Sequence, residues 1–185
     1  MQLRQIASAT RKSVANTFEG VKRLARLERV IATVCILIPA FLIWFDDGPI
    51  RDSISAYYDM EESQVFYFPL TVAAMLFVVN GVVKNQRAYN TLLGVMLAGV
   101  ILFNHDDAGL LHAAFATAFF GGNAVVILLF SSKKERWFKA LLVVGIVLSM
   151  AGYFVFDWFT LFWAEWLSFA IIALHYVLES LDVID

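Results

Sequence analysis

The sequence predicts an all-α fold, a polytopic integral membrane bundle of six transmembrane helices. Its composition, its apolar stretches and the placement of its cations each indicate this. Of 185 residues, 61% are hydrophobic and 16% are charged, whereas a soluble domain has about 45–50% apolar and about 25% charged residues. With a mean hydropathy of +0.73, too few polar residues remain to cover the surface of a soluble domain. The composition therefore excludes a soluble domain and a disordered chain.

Six apolar stretches are the predicted spans: 30–45, 65–83, 89–103, 108–130, 137–156 and 161–178. About 20 helical residues cross the hydrocarbon core of a bilayer. The strands of a membrane barrel would alternate apolar and polar residues, which these stretches do not. The first and third stretches are short, so flanking polar residues extend them or the membrane is thinner there. Gly94 and Ala98 in the third stretch favour close packing against a neighbouring helix.

The positions of Lys and Arg predict the orientation. Thirteen of 14 lie in residues 1–29, near 84–88 and near 131–139, and the remaining one is Arg51. With six spans these thirteen fall on one side, which the positive-inside rule assigns to the cytoplasm. Both termini are therefore expected in the cytoplasm. The chain divides into a basic segment, 1–29, and a six-helix transmembrane domain, 30–185.

The basic segment 1–29 has two interpretations. Its apolar residues recur at about helical spacing with cations between them, as in an interfacial helix on anionic lipid, or it is a frayed basic tail. The formal net charge is −2 and no basic patch suggests nucleic acid, so the expected partner is the lipid bilayer. Cys35 is the single cysteine, which excludes an intramolecular disulfide.

Polar residues gather on the expected outer side. The first outer connection is acidic from Asp46 to Asp59, and Asn104–Asp107 forms the second. His112 and Glu165 each follow about one turn into a span. On the sixth span five residues share one stripe at helical spacing; these are Glu165, Ser168, Ile172, His175 and Glu179. Because ionisable groups within a membrane face the bundle interior or a cavity, we expect this stripe to point inward.

These residue types are compatible with a zinc centre. A catalytic zinc takes three protein ligands, mostly His and carboxylates, and keeps one position for water, whose pKa it lowers. The candidate metal ligands are His112, Glu165 and His105 (Asp106 or Asp107 could replace His105), and the candidate catalytic or orienting residues are Ser53, Ser55 and Asp106.

The alternative is that His112 and Glu165 hydrogen-bond across helices without a metal. Spacing alone favours it, because the sequence contains neither His-Glu-x-x-His nor His-x-x-x-His. His175 lies about 15 Å below Glu165 at 1.5 Å per residue. It is therefore either a hydrogen-bonding core histidine or part of a deeper polar path.

Three motifs carry a resemblance to a known family. They are Arg-Asp-Ser-Ile-Ser-Ala-Tyr-Tyr at 51–58, Leu-His-Ala-Ala-Phe-Ala-Thr-Ala-Phe-Phe at 111–120 and Phe-Trp-Ala-Glu-Trp at 162–166. From about residue 30 to the end, the chain resembles a bacterial family of small, functionally uncharacterised membrane proteins, which implies the bacterial inner membrane. More distantly it is similar to the superfamily of alkaline ceramidases and progestin/adiponectin-type receptors. That likeness implies zinc, with His112 as a ligand and Ser53 or Ser55 near it, and hydrolysis of a lipid.

Three functions are therefore compatible with the sequence. The first is a metal-dependent hydrolase with a lipid substrate at the outer leaflet. The second is a noncatalytic protein, either an accessory subunit packed among other membrane subunits or a small-ligand sensor. The third is a transporter or channel, which the polar stripe of the sixth span suggests, although no inverted repeat accompanies it.

Overall fold

The computed structural model is a bundle of six α-helices, and the part of the chain that it describes contains no strand. It describes residues 2–83, 88–130, 135–181 and 183, with side chains from residue 24 onward. The helices are α1 (Gln2–Phe45), α2 (Gln64–Val83), α3 (Ala88–Leu102), α4 (His105–Val125), α5 (Arg136–Phe154) and α6 (Leu161–Ser180). A 3-10 helix, Ser55–Asp59, precedes α2, and a π-helical turn, Val126–Phe130, extends α4. The predicted all-α fold is confirmed.

Five segments are long and apolar enough to cross a membrane: Leu24–Phe45, Gln64–Val83, His105–Phe130, Arg136–Phe154 and Leu161–Ser180. The remaining helix, α3, is apolar but has 15 residues, which is about 22 Å of helix. The six predicted spans therefore correspond to the six helices, with the third the shortest.

The predicted boundary between residues 29 and 30 falls inside α1, which runs without interruption from Gln2 to Phe45. The apolar segment of α1 begins at Leu24, six residues before the predicted start of the first span. Contact of the preceding residues with lipid, and the cytoplasmic location of the termini, stay predictions.

The bundle has two chemically different ends. The connections 46–63, 103–104 and 155–160 lie at the end that we call the acidic side. With the first turn of α4, these connections carry nine Asp and Glu residues and one Arg. The opposite end, the basic side, holds the ends of α2, α4 and α6 and the starts of α3 and α5.

Helix α6 is the central helix, because side chains of all five other helices contact it. The contacts are Arg29 of α1 with Ser180, Phe77 of α2 and Asn90 of α3 with Tyr176, Phe119 of α4 with Phe169, and Ser149 of α5 with Ser168. The predicted stripe from Glu165 to Glu179 is buried, which confirms its inward orientation. Since polar side chains in hydrocarbon are stable mainly when they face protein, the polar residues of α6 explain its position.

Close approach of α2 and α3 depends on Gly94, as the sequence predicted. A methyl group at Gly94 would lie 2.6 Å from the carbonyl oxygen of Ala74 and 2.9 Å from the backbone nitrogen of Val78. Both atoms are backbone, so neither can move aside without shifting α2.

We expect Gly94→Ala to destabilise the protein by about 1–3 kcal/mol, the usual cost of overpacking. The measurement is the midpoint of unfolding of the detergent-purified protein in SDS, followed by circular dichroism. Gly121→Ala is the matched control, because a methyl group there meets nothing within 4 Å. Equal midpoints for the two variants would contradict the close approach of α2 and α3.

Candidate functional site

The connection 46–63, which we call the plug loop, folds into the acidic end of the bundle. Ile54, Tyr57 and Met60 of the loop are buried, and Tyr57 is only 1% exposed. The Tyr57 ring packs 5.8 Å from the ring of Phe162, and the backbone nitrogen of Phe162 donates to the carbonyl oxygen of Asp52 at 2.7 Å. That bond satisfies one of the free N–H groups at the start of α6. The plug loop is therefore seated on the central helix.

Arg51 holds the plug loop in its folded shape. Its Nε and Nη2 donate to the two carboxylate oxygens of Asp46 at 2.7 and 3.4 Å, and its Nη1 donates to the carbonyl oxygen of Ala56 at 3.1 Å. The guanidinium also lies over the ring of Tyr57, 5.6 Å from its centroid. The hydrogen bond from Arg51 holds the pKa of Asp46 below its ordinary value, and burial raises the pKa of Tyr57.

Glu165 joins the central helix to the plug loop. The backbone nitrogen of Ile54 donates to Oε2 of Glu165 at 2.7 Å. Glu165 is 7% exposed and lies one turn inside the apolar helix α6. When Glu165 is ionised, this hydrogen bond contributes about 1.5–3 kcal/mol to the attachment of the loop.

A cavity of about 20 Å³ lies beneath the plug loop. A cavity needs about 10–15 Å³ to hold one water molecule, so this one has room for about one small polar group. Two of its lining side chains are polar, those of Glu165 and Ser55, and four are phenylalanines: Phe66, Phe119, Phe120 and Phe169. The cavity therefore combines a carboxylate with aromatic walls.

The two candidate serines lie together in the plug loop. Their hydroxyl oxygens are 3.0 Å apart, and Oγ of Ser53 also accepts from the backbone nitrogen of Ala56 at 3.0 Å. Ser55 and Glu165 line the same cavity. The structure thus brings together Ser53, Ser55 and Glu165 among the six candidate site residues.

Asp106 and His105 lie at the surface of the acidic side, with side chains 69% and 72% exposed. The hydroxyl of Tyr58 donates to Asp106, and this bond raises the pKa of Tyr58 to about 12. The contact of Tyr58 with Asp106 ties the plug loop to the start of α4.

His112 is buried against the end of α3. Its Nδ1 lies 2.7 Å from the carbonyl oxygen of Phe103 and its ring is 6.1 Å from that of His105. A carbonyl partner on one ring nitrogen also suits a metal ligand. Among the residues that the structure describes, however, no group of three His, Cys, Asp or Glu side chains could hold a metal ion. The described donors therefore do not fit zinc, and the zinc centre stays a prediction.

A second polar region surrounds α6 at the basic side. Glu28, Lys139, His175 and Glu179 are all buried there, and none of them lacks a partner. The hydroxyl of Tyr176 donates to Asn90 at 3.4 Å, and Asn90 donates to Asn80 at 2.6 Å. These bonds join α2, α3 and α6 at the basic side.

Several of these residues were missed from the sequence. Lys139 was assigned to a connection, but it lies inside α5 and is buried. Glu28 was assigned to the basic segment, but it faces the core. The sequence did contain one signal for the plug loop. Arg51 is the only Lys or Arg of the acidic side, so an acidic partner was to be expected there.

The Arg51–Asp46 ion pair predicts the pH range in which the plug loop is held. Because the folded pKa of Asp46 lies below 3.8, its stabilising contribution is present above about pH 4 and is lost as the pH falls through the lowered pKa. We expect amide hydrogen exchange in the plug loop, corrected for intrinsic rates and followed by mass spectrometry, to be constant from pH 7 to about pH 5 and to accelerate below about pH 4.

The Asp46→Asn variant should exchange faster at pH 7 and should lose this acceleration. Asp47→Asn is its control, since Asp47 is the exposed neighbouring carboxylate and should exchange like the wild type. Wild-type exchange in Asp46→Asn would show that the ion pair does not hold the loop.

Comparison with known proteins places the chain in a family. Residues 37–180 match DUF7103, a family of unknown function, whereas no curated protein and no solved structure matches. The matched range contains the plug loop, the cavity and α6 entire. The family match does not test the likeness to the ceramidases and the progestin/adiponectin-type receptors, which stays a prediction. Because the match covers most of the chain, the protein belongs to the DUF7103 family of unknown function.

Proposed function

We propose that the protein is a noncatalytic membrane sensor, in which a small ligand displaces the plug loop from Glu165. In this proposal the acidic side faces outward, as the cations predict, and the membrane is the bacterial inner membrane that the family resemblance implies. The observation that carries it is the bond between the Ile54 backbone nitrogen and the buried Glu165 carboxylate. A ligand with a hydrogen-bond donor can replace that N–H group at the same oxygen.

The cost of burying a carboxylate supports this role. An ionised side chain in hydrocarbon is unstable without polar partners, so an ionised Glu165 needs a bond to the plug loop, to water or to a ligand. The loop is joined to the bundle by few polar contacts, those of Asp52, Ile54 and Tyr58. Exchange of one partner of Glu165 for another therefore changes the position of the loop.

The position of Glu165 on the central helix supports transmission of this change. All five other helices contact α6, so a movement of α6 as one rigid helix would displace groups on each of them. The buried His175 and Glu179 lie near its other end, which is the expected cytoplasmic side. Helix shifts of about 1–2 Å are a common route for such signals.

The lipid hydrolase and the accessory subunit stay as alternative predictions. A metal-dependent hydrolase requires a metal ion that activates water, and the candidate orienting residues Ser53 and Ser55 lie in contact with each other. The sensor instead requires that the plug loop leave its site, and this movement can be measured directly.

We expect Glu165→Gln to release the plug loop. The neutral amide keeps the shape of Glu165 but forms a weaker hydrogen bond with Ile54, and the difference of about 1 kcal/mol corresponds to roughly a fivefold larger open population. The reporter is a single thiol at the buried position 60 of the plug loop, Met60→Cys, in a Cys35→Ala background. Its rate of modification by a membrane-impermeant maleimide should rise about fivefold.

The matched control is Ser168→Ala in the same background. Ser168 is the next polar residue on that face of α6 and bonds to Ser149, away from the plug loop. Its reporter should react at the rate of the parent. If Glu165→Gln and the parent react equally, the Glu165 contact does not hold the loop and the proposal fails.

A further inference from the structure

We infer that the ligand recognised at Glu165 is an organic ammonium, the protonated form of a small primary amine. This inference rests on the proposed function and adds the chemical class of the ligand. It follows from the walls of the cavity, from the polar groups that line it and from the charge of the surface above it.

The cavity walls suit a cation with an apolar tail. Phe119, Phe120 and Phe169 form a mutual cluster with ring centroids 5.2–5.7 Å apart, and all three line the cavity with Phe66. Aromatic faces attract ammonium groups electrostatically, and ligands with such groups are bound in aromatic cages. An anion would meet both these rings and the Glu165 carboxylate unfavourably.

The polar groups of the cavity match the donors of an ammonium head. A primary ammonium offers three N–H donors. One can replace the Ile54 N–H at Oε2 of Glu165, and a second can reach the Ser55 hydroxyl on the same cavity wall. Ca²⁺ and Mg²⁺ require six or more oxygen ligands, whereas two lining side chains carry oxygen. This donor set therefore favours an ammonium over a hard metal cation.

The size of the cavity explains why binding would move the plug loop. Its volume of about 20 Å³ accepts a group of about the size of water, which an ammonium head resembles. An attached alkyl chain requires more room, and the buried side chain of Ile54 occupies the adjacent space. The cavity has room for the head alone, and the tail requires displacement of the loop.

The surface above the cavity attracts cations. The acidic side carries nine carboxylates and one arginine, and that arginine is already paired with Asp46. A surface of one sign raises the local concentration of oppositely charged ligands. This attraction acts on all cations, so the selection for an amine comes from the cavity itself.

The probe is ethylammonium chloride, added to the detergent-purified full chain. Saturation-transfer difference NMR on the ethyl protons measures binding, and the Met60→Cys reporter, which lies outside the cavity lining, measures release of the plug loop. Potassium chloride is the control for charge, and ethanol is the control for size without charge. We expect an NMR signal and faster labelling with ethylammonium, and neither effect with potassium chloride or ethanol.

Three variants locate the site. Glu165→Gln should lose at least tenfold in ethylammonium affinity, and Phe120→Leu should lose about fivefold, because one aromatic wall is removed. Ser168→Ala should bind like the parent. If ethylammonium does not bind, or binds equally to Glu165→Gln, the ligand assignment is overturned. Faster labelling of ligand-free Glu165→Gln would in that case still support the sensor, so the two failures are distinguishable.

Discussion

Burial of a carboxylate within an apolar helix is the constraint on which the structure depends. In the hydrocarbon core of a membrane, a polar group has no water with which to hydrogen-bond, so protein must surround it. Helix α6 carries Glu165 near one end and His175 and Glu179 toward the other, all of them buried. A helix with polar groups along its length cannot lie at the lipid boundary. It takes the centre, and the more uniformly apolar α2, α3, α4 and α5 pack around it together with α1.

The plug loop is a consequence of the same constraint at the acidic end. Glu165 lies one turn inside the membrane-spanning segment, where no side chain of a described neighbouring helix forms its bond. A backbone N–H of the connection 46–63 supplies that bond, so the loop turns inward and buries Tyr57. Arg51 makes this turn stable by joining Asp46, at the end of α1, to Ala56 in the 3-10 helix. Glu165 and Arg51 thus hold three elements together, which are α6, the end of α1 and the 3-10 helix.

The sequence was sufficient for the features that depend on periodicity and composition. The six helices, the inward face of α6 and the close packing at Gly94 all follow from side-chain spacing, and the structure confirms them. The sequence was insufficient where the structure depends on backbone atoms or on contacts between residues far apart in the chain. The N–H of Ile54 has no signature in the residue type, and the non-helical backbone at Ala108 in the first turn of α4 has none either. Lys139 shows the same limit, because the residue type alone does not predict that this cation is buried inside α5.

The energetics of Glu165 favour a two-state plug over a gradually opening one. When Glu165 is ionised, an open loop without a ligand replaces the Ile54 N–H by water next to an apolar wall, and this exchange is unfavourable. The closed loop and the ligand-bound open loop are therefore the two favourable states, and the empty open state lies above both. A ligand shifts such an equilibrium only by its difference in affinity for the two states. Ligand and loop compete for one oxygen of Glu165. A group that bonds to Oε2 therefore binds only the open state, and this competition supplies the difference in affinity between the two states.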